Sequence, residues 1–180
     1  VTDSTSTNED EFYDDATSEF PSPEDLCPAD PKGPVVGRLV AIWAVENGTA
    51  KGENGTYPYT ESVTLVLDDG PDGNLATDLI GPAPQRLDLR HSTTGIQSRL
   101  RGRVEGVNAK GVPLKYRPMI GRVNTRPSTK YKKGSPAFSI AEPSAEDRAV
   151  IDAHKAEIIA INRELEAKDK AAEDSAAFDA

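Results

Sequence analysis

The apolar positions of the chain fall into short runs whose spacing changes from strand-like to helix-like near the C-terminus. Val35 to Val45 (VVGRLVAIWAV) is apolar on both alternating faces and rich in β-branched and aromatic residues, which predicts a long strand buried on both sides for part of its length. ENGTAKGENGT follows, with Asn47-Gly48 and Asn54-Gly55, dipeptides that accept the positive φ of tight turns, and it predicts a flexible hairpin tip. Ser62 to Leu67 alternates, Val63, Leu65 and Leu67 against Ser62 and Thr64, so a second strand has one core face and one wetter face. Asp68 to Asn74 (DDGPDGN) reads as a turn, and Leu75 to Ile80 with Arg86 to Leu89 as a third strand broken or re-paired at GPAP. Ser92 to Leu100 (STTGIQSRL) opens with hydroxyl residues able to cap, and Ile96 and Leu100 stand four apart, which predicts a short helix. Met119 to Val123 and Ala137 to Ala141 give two more strands around the basic loop Asn124 to Pro136.

The clearest helical period lies at Ser144 to Lys168. Ser144 can cap it with Asp147 three residues on, Glu146 and Asp147 sit in the first turn, and Val150, Ile151, His154, Ile158, Ile161 and Leu165 share one face. That stripe has to be buried against the β domain or against a second copy of the helix, the latter giving a homodimer. The expected architecture is mainly β: five strands in the order of an oligonucleotide/oligosaccharide-binding (OB) barrel, a short helix between strands three and four, and a long amphipathic C-terminal helix. Residues 1–31 read as a disordered acidic arm, 32–143 as the OB-like domain, 144–170 as the helix and 171–180 as an acidic tail.

Charge changes the picture more than composition does. The chain carries a net −9, yet its N-terminal 31 residues hold ten acids and no base. The nets of 1–31, 32–143 and 144–180 are −10, +6 and −5. Arg86 to Lys133 has thirteen Lys and Arg against Asp88 and Glu105, a local +11 with Tyr116 and Tyr131 among the bases, which points to a polyanion. No apolar run is long enough to span a bilayer and no signal peptide is legible, so the expected setting is the cytoplasm, that of the host cell if the chain is phage-encoded.

Four segments, GRLVAIWAV, SVTLVLDDG, QSRLRGRV and AFSIAEPSAEDRAVIDA, resemble the strand-one, strand-two, helix and terminal segments of small phage-encoded single-stranded-DNA-binding proteins of actinobacterial viruses. The resemblance covers roughly Pro21 to Ala153 and departs in the extended acidic N-terminus and the long C-terminal helix. It implies an OB-like barrel that coats single strands during phage replication or recombination. An acidic tail ending near Phe178 is, by the same resemblance, a contact for host or phage replication proteins.

Such binding needs cations that track phosphates and flat rings on which bases stack. The candidate cations are Arg99, Arg101, Arg103, Lys115, Arg117, Arg122, Arg126, Lys130, Lys132 and Lys133, with Arg99, Arg101 and Arg103 pointing to one side if their segment is extended. The candidate rings are Trp43, Tyr57, Tyr59, Tyr116 and Tyr131, with Trp43 also readable as core. No cofactor is expected, and neither is a metal: Cys27 has only His91 and His154 for company, and DDGPDG reads as turn chemistry. Nor is an enzyme expected. Asp88, His91 and Ser92 are too close in sequence to form a triad in space, and no phosphate loop is present. The rival reading is a virion capsid or tail protein with a basic surface facing packaged DNA.

Overall fold

The computed structural model describes residues 26–27, 35–71, 80–91, 95–127 and 136–179. Five strands, β1 (Val35–Gly52), β2 (Gly55–Val66), β3 (Gln85–His91), β4 (Met119–Pro127) and β5 (Pro136–Ala141), form one antiparallel sheet in the order β3-β2-β1-β4-β5. Helix α1 (Gly95–Val104) lies between β3 and β4, a single 3-10 turn (Leu114–Tyr116) precedes β4, and α2 (Ala145–Ala153) and α3 (Lys155–Phe178) end the chain. Among the described residues no ladder joins β3 to β5, so the sheet is open where a closed barrel had been expected.

Period-two alternation sorts the side chains of β1 onto two cores. Val40, Ile42 and Ala44 face α1, with Val66, Leu87, Leu89, Val123 and Phe138 from the neighbouring strands and Ile96 and Leu100 from the helix. Leu39, Ala41 and Trp43 face the other way, with Val63 and Leu65, and are covered by Ile158, Ile161 and Leu165 of α3. The two-sided apolar run of β1 is thus explained by a helix on each face. Leu26 and Cys27 belong to the α1-side core, upstream of the boundary expected near Lys32.

Three expectations about elements change. The hairpin tip is paired strand: β1 runs on to Gly52 and β2 starts at Gly55, so only Asn54-Gly55 turns, with Gly55 at φ 111°, while Asn47-Gly48 sits inside the ladder. The terminal helix is two helices. Ser144 and Asp147 form the reciprocal capping box expected of them, but the backbone breaks at His154 (φ −106°, ψ 15°) before α3 begins, and α3 continues to Phe178 through the segment expected to trail off. The apolar stripe of α3 packs on the chain's own sheet, the first of the two burials expected for it. The expected acidic arm and all but Ile80 of the strand piece Leu75 to Ile80 lie outside the described residues, as does most of the β4–β5 loop.

Candidate nucleic-acid interface

Beyond the body of the sheet the β1–β2 hairpin projects, twisted by a register shift between Ala44 and Glu46. On it Tyr59 stands opposite Gly48 and Tyr57 opposite Ala50, two residues apart on one strand and therefore on one face. That face is the one α3 covers further down. Gly48 leaves room for Tyr59: an added Cβ would lie 2.7 Å from Cζ and Oη of the tyrosine and would push the ring aside, so the phenol reaches across the neighbouring strand where no side chain stands. Tyr57 is 41% exposed, and the guanidinium of Arg90 sits 5.2 Å from the ring centroid of Tyr59, within cation–π range. Arg90 was not among the expected site residues. Its place follows from the β2–β3 register, which sets it opposite Glu61.

Trp43, expected as a ring for stacking or as core, is core. It is 0% exposed beneath α3, and its indole N–H donates to the side-chain oxygen of Asn162. While α3 is docked, no base can reach it.

The cations separate by what holds them. Arg122 lies between two carboxylates: its Nη2 donates to Asp68 at 2.7 Å and to Asp147 at 2.6 Å, and its Nη1 to the carbonyl of Gly37 at 2.9 Å. Burial alone would lower its pKa, but the bonds to Asp68 and Asp147 more than offset this and hold it above its ordinary value. Lys115 is bonded to Asp169 at 2.6 Å, and Asp169 also accepts from the hydroxyl of Tyr116 at 2.6 Å. Burial and then that carboxylate push the Tyr116 phenol up to about 12. Arg86 grips Glu164 with two bonds of 2.7 and 3.0 Å. These three bases are committed to acids of the C-terminal helices and of the turn after β2, so the local excess of cations is smaller than the sequence count.

Arg99 and Arg103 differ, because each donates to a carbonyl oxygen: Arg99 to Ile140 at 3.4 Å, Arg103 to Arg117 at 2.7 Å. A carbonyl leaves a guanidinium's net charge in place. Burial, and then the neighbouring charge of Arg99, push Arg103 below its ordinary pKa. Both lie on α1, where i and i+4 share a flank, and Arg101 points elsewhere, so the alternation expected of an extended segment does not apply. Arg117 is exposed after the 3-10 turn. Arg126 lies on β4, with its side chain outside what is described, and Lys130, Tyr131, Lys132 and Lys133 lie outside the described residues altogether.

The residues weighed as chemistry separate in space. Asp88 and His91 have opposite parity on β3: Asp88 is exposed on the α3 face and His91 is 0% exposed in the α1-side core. Asp68 accepts from the amide of Gly70 two residues on, which is turn chemistry, but it also accepts from the amide of Leu39 on β1, and Asp69 accepts from that of Ala83, both contacts between distant segments; Asp72 is outside the described residues. Among the described residues no group of three His, Cys, Asp or Glu could hold a metal ion, and no helix is long and apolar enough to cross a membrane. Compared with known proteins, the chain matches no family model, no curated protein and no solved structure.

Proposed function

We propose that the protein binds single-stranded DNA with little regard to sequence, as the four-segment resemblance implies, and coats single strands during phage replication or recombination. The observation that carries the reading is the pair of tyrosines on the projecting hairpin. Two residues apart on one strand, their Cα atoms are about 6.7 Å apart, close to the spacing of successive bases on an extended single strand. Arg90 supplies a cation beside one ring, and Arg99, Arg103 and Arg117 are bonded to no carboxylate among the described residues. The strand order β3-β2-β1-β4-β5, with a helix between β3 and β4, supports an OB-like barrel opened between its third and fifth strands.

Anisotropy titrations of single-stranded and duplex oligonucleotides test this. The expected result is preference for the single strand, with Tyr57→Ala and Tyr59→Ala each costing about 1 to 3 kcal/mol. Equal affinity for duplex and single strand, or no loss when both rings are removed, overturns the stacking mechanism and favours a structural protein facing packaged DNA.

A further inference from the structure

A cleft of about 630 Å³ opens on the β4 side of α3, remote in sequence from the tyrosine hairpin. Its volume lies within the range that holds a nucleotide-sized ligand. Ile120 and Ile158 give it an apolar floor, and Tyr116 a ring held in place by its bond to Asp169. Arg103 and Arg117 stand at its wall. Their guanidiniums are bonded to no carboxylate among the described residues, and Arg103 buries its Nε without an acceptor. From α3 come Asn162 and Glu166, one turn apart on the same flank. The oxygen of Asn162 is occupied by the Trp43 indole, so its amide nitrogen is the group left to donate into the cleft, and Glu166 can only accept.

Two cations, a fixed ring, one amide donor and one carboxylate acceptor match the parts of a single nucleotide. The phosphate takes the guanidiniums, the base lies against the tyrosine, and the base edge, which offers both donors and acceptors, meets Asn162 and Glu166. The net charge of those lining groups is positive, which favours an anion over a neutral apolar ligand. We propose that this cleft is a nucleotide subsite, engaging one phosphate and one base of the bound strand apart from the hairpin. The inference rests on the single-strand reading and adds a second point of contact to it.

Trp43 makes the subsite readable, because it is the only tryptophan of the chain and its N–H is bonded to a residue that lines the cleft. The full chain is titrated with 5′-phosphorylated oligothymidylate of roughly 12 nucleotides, anisotropy reporting total binding and Trp43 emission reporting the cleft. The expected result is a saturable emission change that tracks anisotropy. Arg103→Gln and Arg117→Gln should each weaken binding about fivefold or more and shrink the emission change, as loss of a charge-assisted contact implies. Tyr57→Ala should weaken binding while leaving the emission change at saturation intact. Arg117 is exposed, so its variant remains informative if the Arg103 variant folds poorly. Binding without any change in Trp43 emission, or unchanged affinity in the Arg117 variant, overturns the subsite and leaves the single-strand reading standing. No anisotropy change with wild-type protein overturns both.

Discussion

His91 is a base shut inside an apolar layer, with neither ring nitrogen bonded to a partner among the described residues. Burial pulls its pKa down to about 4, so the folded state holds the neutral ring where the unfolded chain would accept a proton. Its contribution is complete above the unfolded value near 6.5 and is lost as pH falls from there towards 4, about 3 kcal/mol across the window. Urea unfolding at stepped pH should show that decline in the wild type and a flatter profile in His91→Leu. Asp147 and Asp169, whose pKa values are depressed, lose their contribution only as pH falls further, below the ordinary carboxylate range, so the two windows separate. Arg122 poses the opposite problem, a cation that two partly buried acids require. Arg122→Leu leaves Asp68 and Asp147 facing each other without a counter-charge, and a loss of about 3 kcal/mol in the same unfolding assay is expected.

At the scale of elements, the hairpin and α3 illustrate what a linear pattern can carry. The strands and α1 were legible because apolar alternation and i, i+4 spacing are local properties, and the two-sided burial of β1 was written in VVGRLVAIWAV. The extension of β1 to Gly52 was hidden, since Gly48 and Gly52 look like turn residues until tyrosines on the facing strand lie across them. The break at His154 was hidden too, because no glycine or proline marks it and the apolar stripe continues across it. The pairing of Arg122 with Asp68 and Asp147 joins positions 54 and 25 residues away, which no motif encodes. Gly48→Ala tests the hairpin: the added methyl should swing Tyr59 off Arg90 and weaken single-strand binding by about 1 kcal/mol at unchanged melting temperature. Ile161→Ala tests α3 as part of the core, with an expected loss of about 3 kcal/mol in urea unfolding and a Trp43 emission shifted to the red as the helix loosens.

For the whole molecule, an acidic chain binds a polyanion only through the cations it has not neutralised itself. If Arg99 meets one phosphate while Arg103 and Arg117 share a second, the logarithm of affinity should fall with the logarithm of salt at a slope of about −1.4, since each phosphate on a single strand contributes about −0.7. Oligonucleotide titrations from low to physiological salt measure it. A slope several-fold steeper would assign the binding to the lysines of the β4–β5 loop.

The Asp68–Arg122–Asp147 contact also decides how load passes through the molecule. It joins the end of β2, the middle of β4 and the first turn of α2 at one guanidinium, so α2 is anchored to the sheet, whereas beyond His154 α3 adheres through its own side chains. Pulled from its C-terminus, the chain would therefore peel residue by residue back to His154 at low force, and then resist until three segments gave way together.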